Sequence, residues 1–355
     1  MKKFLPVTKP QLILVPTNTN MLNIIKTYNL PWDWIASNLN QIFIEADIAV
    51  SDNDRDFPRI FAYDFIAYHS NPQFEYFNLI PELLYSSLDK FKKLIEELIM
   101  SNYYIVLSID MYYIPEYKFP KHGSHLLMIY GIDEDQLGVI DFIEDQYSFV
   151  NVSLVDVYRA FIENNNRDLV DASFFEAVKA NENKDIYPFN KTIYVQLISD
   201  YLNSFPTWTR FCPDLSNVQY IRREKRKPLI WGRNCMQNYQ TNFSELIDII
   251  SRNLDTPISL RYFHTFAAYK ELVKINFEYI LEHDFFHIGY EVGNEILSEL
   301  NVISSYFKMV EILAIKALID RKSDRLEKKY DELEQILLKD YWIYERIYNL
   351  AGRGG

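Results

Sequence analysis

Apolar residues recur along the chain with two different spacings, and the change of spacing separates predicted helices from predicted strands. Apolar positions three and four residues apart predict helices at Met21–Tyr28, Trp34–Ile42 and Leu84–Met100. Short apolar runs rich in β-branched residues predict strands at Leu12–Val15, Tyr104–Ile109, Leu126–Tyr130 and Leu137–Ile140. Because only short turns separate the last three runs, we expect an antiparallel sheet that the preceding helices cover on one face.

After about Lys191 the strand signals fade and longer helical patterns take over. Predicted helices follow at Tyr194–Leu202, Asn242–Asn253, Leu260–His283, Val302–Ile319 and Ser323–Leu338. The fourth is apolar on most of its circumference, which predicts burial, whereas the fifth alternates charges and is typical of a half-exposed outer helix. The fold class is therefore α+β, with an α+β domain at residues 1–192 and an all-α helical domain at residues 193–355.

Composition and charge narrow the class of protein. The chain of 355 residues is 48% hydrophobic and 24% charged, which is enough to bury a core in one large or two ordinary domains. The net charge of −12 argues against nucleic acid and against an anionic membrane as partners. The basic cluster Arg222–Lys227 would meet an acidic partner, such as a carrier protein or a phosphate, or would form a solvated loop.

Cellular location is predicted from what the chain lacks. It has no run of about 20 apolar residues that would span a membrane, and its short N-terminal apolar run does not resemble a signal peptide. Its two cysteines, Cys212 and Cys235, are too few for a disulfide scaffold. We therefore expect a cytoplasmic protein with both thiols reduced.

The residues from Asp110 to Asp141 carry the strongest chemical signal. His125 begins one predicted strand, and Asp141 ends the strand that follows it in a hairpin, so the two side chains can form a hydrogen bond. A carboxylate that fixes the tautomer of an imidazole makes the histidine a competent general base. A histidine beside a strand is otherwise structural, and His122, which we expect to be exposed in the preceding loop, competes for the same role.

Two further polar groups are weaker candidates. His283 and His287 have the spacing of one helical face, but no glutamate follows the first, and two ligands do not make a zinc site, so no metal is predicted. Arg261, His264 and Lys270 share a predicted helix and would meet a phosphate or a carboxylate, or would be ordinary surface residues. The sequence contains no glycine-rich phosphate loop, no Cys-x-x-Cys and no serine nucleophile elbow.

Several segments resemble a known family. His125–Asp133 followed by Val139–Asp141 looks like the histidine and aspartate segments of papain-like cysteine peptidases. Ile109–Pro115 resembles the N-terminal domain of the family of butirosin biosynthesis protein H, and Ile258–His264 with Tyr269-Lys270 is similar to relatives found beside nonribosomal peptide synthetase genes. The resemblance implies a papain-like fold for residues 1–192 and a role in antibiotic or other peptide natural-product biosynthesis.

The resemblance also implies a reaction. In the family, a cysteine near the N-terminus takes an acyl group from a carrier-protein thioester and passes it to an amine. The implied partners are an acyl or peptidyl carrier protein and a small-molecule amine, with no cofactor beyond the phosphopantetheine arm that the carrier presents, and a homodimer is possible. Carried over, His125 is the base and Asp141 orients it. The residues implied to bind substrate are Asp110, Tyr112, Tyr113 and Asn18.

The expected nucleophile is missing. It would lie at the start of the first helix, where this chain has Thr17, Asn18, Thr19 and Asn20 but no cysteine. Thr17 or Thr19 would replace the thiol, or His125 and Asp141 would act without a covalent intermediate, or the site is inactive and the fold serves as a binding module for a carrier protein or synthetase. A thioester or amide hydrolase would use the same residues, and donation of a thiol by Cys212 or Cys235 is disfavoured because both follow the histidine.

Overall fold

The computed structural model describes residues 2–14, 16–45, 59–61, 71–79, 87–143, 146–166, 175–181, 183, 186–210, 229–252 and 260–353. The chain divides into two compact units. The first combines Met1–Pro31 with Ile66–Tyr187, and the second combines Trp32–Phe65 with Pro188–Gly355. The division after Tyr187 lies close to the boundary at residue 192 expected from the sequence, but the sequence pattern did not associate Trp32–Phe65 with the C-terminal half.

The first unit is built on a seven-stranded antiparallel sheet. Its strands are β1 (Lys2–Phe4), β4 (Phe74–Asn78), β5 (Tyr104–Asp110), β6 (Ser124–Asp133), β7 (Gln136–Ile143), β8 (Gln146–Ser153) and β9 (Phe175–Ala180). Their order is β4-β9-β5-β6-β7-β8, and β1 pairs with the second half of β6. All seven residues of β5 are buried, which explains its uninterrupted apolar pattern. The three predicted strands at the centre of this sheet are confirmed.

The described residues of the first unit also form three α-helices: α1 (Pro16–Tyr28), α3 (Leu88–Met100) and α4 (Leu154–Asn166). The Ser87 side chain caps α3 by accepting a hydrogen bond from the backbone of Lys90 at 3.4 Å. Phe91 of α3 is fully buried and packs against the ring of Phe161 on α4 at 5.6 Å. Aromatic contacts between α3, α4 and the sheet therefore form much of the core that supports β5.

The predicted strand at Leu12–Val15 is wrong in its described part. Residues 12–14 form no strand, and the backbone N–H of Leu14 donates instead to the Thr19 side chain at 2.8 Å. A single apolar run of four residues does not distinguish a strand from an apolar segment that simply fills the core, and Leu12 and Leu14 are both buried. Val15 lies outside the described residues.

The second unit contains six helices and a small sheet among its described residues. The helices are α2 (Asp33–Asn38), α5 (Lys191–Leu202), α6 (Asn234–Ser251), α7 (Leu260–Glu282), α8 (Tyr290–Asp320) and α9 (Asp324–Arg353). Strands β2 (Gln41–Glu45), β3 (Arg59–Phe61) and β10 (Leu229–Trp231) pair antiparallel in the order β10-β2-β3. The C-terminal region is helical as predicted, but β10 shows that residues 193–355 are not all-α.

The predicted helix Trp34–Ile42 ends early. The side chains of Asn38 and Asn40 donate back to the backbone carbonyls of Trp34 and Ala36 at 2.9 and 2.6 Å. The carbonyl of Ala36 is the acceptor that the backbone N–H of Asn40 would need in a longer helix. The chain then enters β2, whose Ile-Phe-Ile sequence favours a strand. Local polar contacts therefore override the helical spacing.

The surface of α8 also departs from expectation. Burial was predicted for Val302–Ile319, but the apolar residues on one side of this helix are more than a third exposed, namely Val302, Met309, Ile312, Ile315 and Ile319. The opposite side packs against α7 and α9. Within the described part of the chain, none of these helices has both the length and the apolar character needed to cross a bilayer.

Candidate active site

His125 and Asp141 are brought together by the pairing of β6 with β7. His125 is the second residue of β6, and Met128 of β6 pairs with Ile140 of β7, so Asp141 lies within two residues of His125 on the neighbouring strand. Side chains two residues apart on a strand share a face. His125 Nε2 lies 2.6 Å from Asp141 Oδ1, and the side chains are 14% and 1% exposed.

The carboxylate of Asp141 accepts further hydrogen bonds. Its Oδ1 also receives the backbone N–H of Phe142 at 2.7 Å, and its Oδ2 receives the hydroxyl of Tyr117. Burial raises the pKa of the Tyr117 hydroxyl well above its usual value, and the negative charge of Asp141 adds to the effect. Tyr117 therefore remains a neutral donor, and a carboxylate held by this many donors keeps a fixed orientation.

The first turns of α1 reach the same region of the first unit. The Tyr147 hydroxyl on β8 donates to Asn20 Oδ1 at 2.8 Å, and Tyr147 is buried. Burial raises the pKa of Tyr147, and the negative charge of Asp141 contributes to the increase. The Tyr147 hydroxyl, which is hydrogen-bonded to α1, therefore lies close enough to Asp141 to interact with it electrostatically. Asn18 is buried, and Thr17 is half-buried in the first turn of the helix.

The threonines predicted to replace the thiol differ in their surroundings. Thr19 is fully buried, and its Oγ1 accepts the backbone N–H of Leu14, so it stabilises the approach to α1. No hydrogen bond joins His125 to Thr17 or Thr19. Among the described residues nothing is hydrogen-bonded to His125 Nδ1, so the bond to Asp141 leaves this nitrogen open.

Asp110 stabilises the segment between β5 and β6. The side chain of Asp110 is fully buried. Its Oδ1 accepts hydrogen bonds from the backbone N–H groups of Tyr112 at 3.2 Å and Gly123 at 3.0 Å, and its Oδ2 lies 2.8 Å from His122 Nδ1. These contacts join the two ends of the segment between β5 and β6. Asp110 is thus enclosed by its hydrogen-bond donors and stabilises the conformation of this segment, and its predicted contact with a substrate stays a prediction.

An aromatic group lies on that segment. Tyr112 is 49% exposed and its ring centroid is 4.2 Å from that of His122, whereas Tyr113 is half-buried beneath the guanidinium of Arg159, which lies 4.6 Å from the ring centroid. His122 has a side-chain exposure of 34% and is paired with Asp110, so it forms a second, more exposed His–Asp pair. Of the predicted substrate-binding residues here, Tyr112 offers the most accessible surface.

The predicted polar group of α7 does not form one site. Lys270 is 2% exposed, and its Nζ lies 2.7 and 2.8 Å from the two carboxylate oxygens of Asp340. Arg261 is exposed, while His264 Nδ1 lies 2.8 Å from Glu311 Oε1. Lys270 is therefore a buried partner of Asp340 and is closed to a phosphate or carboxylate ligand, which corrects its expected role.

Other candidate residues are also accounted for. Cys235 is fully buried, and burial raises the pKa of its thiol, so it remains protonated. Cys212 and the basic cluster Arg222–Lys227 lie outside the described residues. His283 and His287 do not share a helical face because α7 ends at Glu282. Across the described ranges, no cluster of three histidine, cysteine or carboxylate residues is arranged to hold a metal ion.

No protein-family model and no curated protein matches this sequence. The functional assignment therefore rests on the geometry of the site. The geometry brings together His125 and Asp141, the pair expected from the sequence. It adds Tyr117, which the sequence analysis missed. Tyr117 follows a proline in a 3-10 turn at Pro115–Tyr117, and its proximity to Asp141 depends on a chain separation of 24 residues that no local pattern encodes.

Proposed function

We propose that the first unit is a papain-like acyltransferase domain that forms an amide from a carrier-protein-bound acyl thioester and a small-molecule amine. The observation that carries the proposal is the His125–Asp141 hydrogen bond through Nε2, which leaves Nδ1 open on an imidazole whose side chain is 14% exposed. A histidine held in this way can accept a proton at Nδ1 while the resulting imidazolium is stabilised by the carboxylate. The resemblance of Ile109–Pro115 to the butirosin biosynthesis protein H family supports the choice of acyl transfer.

The proposed reaction proceeds without a covalent acyl-enzyme. The amine nitrogen attacks the thioester carbonyl carbon as one of its protons passes to His125 Nδ1. The carbon–sulfur bond then breaks, and the departing thiolate of the phosphopantetheine arm recovers the proton from the imidazolium. General-base assistance typically contributes about 10²–10⁴-fold, and it would add to the activation that the thioester already provides.

The start of α1 would assist this reaction electrostatically. The first backbone N–H groups of a helix have no intrahelical acceptor and carry partial positive charge, so they favour a developing oxyanion. The Asn20–Tyr147 hydrogen bond and the influence of Asp141 on Tyr147 support placing Thr17 and Asn18 on the substrate side of the pair. The arm and its acyl group belong to the substrate and are not a resident cofactor.

A threonine nucleophile has less support. Thr19 is fully buried and already accepts a hydrogen bond from Leu14, so it would have to leave that contact to attack a thioester. Thr17 is half-buried, and among the described residues no base is hydrogen-bonded to its hydroxyl. An unactivated hydroxyl is a weak nucleophile, so the direct attack of the amine is the better reading.

The second candidate function is an inactive papain-like module that binds a carrier protein or synthetase. The absence of a cysteine from the first 211 residues favours it, since Cys212 is the first cysteine in the chain. A hydrolase that releases the acyl group to water would use the same His125–Asp141 pair. The three readings differ in the fate of the acyl group: transfer to an amine, retention on the carrier, or release as a free acid.

The deciding experiment incubates the full chain with acyl-loaded carrier protein and a panel of amines, followed by mass spectrometry of both products. We expect amide formation that His125→Ala lowers by about 10²–10⁴-fold. His122→Ala is the matched control, because it removes the more exposed His–Asp pair from the same segment and should leave turnover near the wild-type level.

Three other results would each redirect the assignment. Amide formation that persists unchanged in His125→Ala would rule out the proposed base. Free acid without amide would indicate a hydrolase. Saturable binding of the carrier protein with no loss of its acyl group would support the inactive module.

A further inference from the structure

Tyr117 contacts both members of the proposed catalytic pair. Its hydroxyl donates to Asp141 Oδ2, while His125 occupies Oδ1 of the same carboxylate. Its ring also meets the imidazole of His125 edge to face, with centroids 6.2 Å apart and an interplanar angle of 68°. The tyrosine is thus bonded to the partner of the base and packed against the base itself.

Among the described residues, Asp141 acts electrostatically on Tyr147, and Glu116 acts electrostatically on Tyr117. Tyr147 on β8 is the second phenol near Asp141, and it donates to Asn20 on α1. Glu116 precedes Tyr117, and its charge adds slightly to the increase in the pKa of Tyr117. Helix α1 has no acidic residue in its first turn, and its basic residue, Lys26, lies in the last turn. Tyr117 is therefore the one described side chain besides His125 that is hydrogen-bonded to Asp141.

We propose that Tyr117 is a positioning residue that lowers the proton affinity of His125 by hydrogen-bonding to Asp141. A donor on Oδ2 disperses the negative charge that Oδ1 presents to the imidazole, so the carboxylate stabilises an imidazolium less strongly. This weaker attraction favours the neutral imidazole, which is the form that a general base requires in the pH range around neutrality. Because the phenol is buried and its pKa is raised, it remains a donor throughout that range.

The effect on catalysis rests on the proposed function, but the effect on His125 does not. Removing the hydroxyl while keeping the ring concentrates charge on Asp141 and should stabilise the imidazolium. A more acidic phenol should do the opposite. A purely structural tyrosine would change stability in both cases without moving the titration of His125 in opposite directions.

The experiment follows the ring resonances of His125 by NMR between pH 5 and 9 in protein labelled at histidine, with His125→Ala identifying the signals. In Tyr117→Phe we expect the pKa of His125 to rise by about half a unit to one unit. Replacement of Tyr117 with 3,5-difluorotyrosine keeps the shape and strengthens the donor, so we expect the pKa of His125 to fall. This second variant retains the buried hydrogen bond, which keeps the test usable if Tyr117→Phe does not fold.

Tyr147→Phe is the matched control, since it removes a buried phenol from the same neighbourhood that donates to Asn20 and not to Asp141. It should leave the pKa of His125 within about 0.2 units of wild type, a shift that corresponds to little change in interaction energy. Equal shifts in the two phenylalanine variants, no shift in Tyr117→Phe, or a rise with difluorotyrosine would each overturn the proposal.

The activity assay then separates this proposal from the proposed function. Where the chain transfers acyl groups, the acidic limb of its pH–rate profile should move with the NMR pKa in each Tyr117 variant. A chain that transfers none, but shows opposite NMR shifts, would retain the Tyr117 effect while removing the acyltransferase. If the acidic limb of the pH–rate profile does not move although the pKa of His125 measured by NMR does, His125 is excluded as the base.

Discussion

Replacing Lys270 with methionine is predicted to destabilise the second unit strongly. The ammonium of Lys270 makes two hydrogen bonds to Asp340, at 2.7 and 2.8 Å, and a third to the Tyr201 hydroxyl at 3.0 Å. Both charged side chains are only 2% exposed, and burial lowers the pKa of Lys270 although Asp340 opposes that effect. Lys270→Met preserves the apolar stem and leaves Asp340 as a buried charge with the Tyr201 hydroxyl as its remaining side-chain donor, 2.6 Å away.

The expected cost follows from that uncompensated charge. Removing one member of a buried ion pair costs about 3–5 kcal/mol, whereas replacing both members with apolar residues is often close to neutral. We therefore expect Lys270→Met to lose about 3–5 kcal/mol of unfolding free energy and the double variant Lys270→Met/Asp340→Leu to recover most of it. Tyr201, which then lacks a partner, limits the recovery by about 1–3 kcal/mol.

The measurement is urea unfolding followed by far-ultraviolet circular dichroism, with Lys329→Met as the control. Lys329 forms a more exposed pair with Glu332 at 2.6 Å, so its replacement should cost less than about 1 kcal/mol. Equal small losses in Lys270→Met and Lys329→Met would refute the argument that Lys270 stabilises the fold by neutralising the buried charge of Asp340.

Further predictions concern alkaline pH, a close backbone contact and the buried thiol. The free energy of unfolding should fall as the pH rises above about 10. Tyrosines of the unfolded chain ionise there, whereas burial raises the pKa of the same tyrosines in the folded protein, so the unfolded state binds fewer protons. Thermal unfolding as a function of pH measures this loss. The buried tyrosines concerned are Tyr117, Tyr194, Tyr201, Tyr239, Tyr262, Tyr269 and Tyr344. Gly131→Ala would place a methyl group 2.2 Å from a ring carbon of Phe4 and should cost about 1–3 kcal/mol in a denaturation assay. Gly289→Ala, which meets nothing within 4 Å, should cost far less. In a Cys212→Ser background, Cys235 should react with a disulfide reagent only after unfolding, and fast reaction of the folded protein would contradict its burial.

The central sheet could be predicted because its signal is strong and local. Tyr104–Asp110 is an apolar run buried along its whole length, and short turns connect the strands β6, β7 and β8 to one another. The strands at the edge are different: Phe74–Asn78 is mostly exposed and pairs with Phe175–Ala180, about a hundred residues later. Such pairing depends on long-range packing, which a short stretch of sequence does not encode.

The end of the second predicted helix shows a related limit. Helical spacing at Trp34–Ile42 takes no account of polar side chains that bond to nearby carbonyls, and Asn38 and Asn40 do this at the point where the helix ends. The strand that follows then pairs with Leu229–Trp231, more than 180 residues away. The grouping of Trp32–Phe65 with the C-terminal half is therefore a tertiary result that periodicity could not predict.

The candidate site also contains some contacts that the sequence could predict and others that it could not. A histidine at the start of one strand and an aspartate at the end of its hairpin partner are related by strand pairing, so their contact could be predicted from spacing alone. The surroundings of Asp110 and Lys270 could not be predicted from spacing, because they depend on burial. A charged side chain can bind a ligand when it is accessible, and it stabilises the fold when it is enclosed with its donors or its counterion.

The open nitrogen of His125 bears most directly on the missing cysteine. If the pair had become only a structural contact, polar atoms around it would be expected to pair with each other, as Asp110 and Lys270 do with their neighbours. Asp141 follows that rule, with both oxygens engaged, whereas His125 keeps Nδ1 without a partner among the described residues and a side chain 14% exposed. Direct aminolysis requires a held imidazole with one basic nitrogen left without a hydrogen-bond partner, so the absence of a thiol removes the covalent intermediate from the proposed reaction without removing its base.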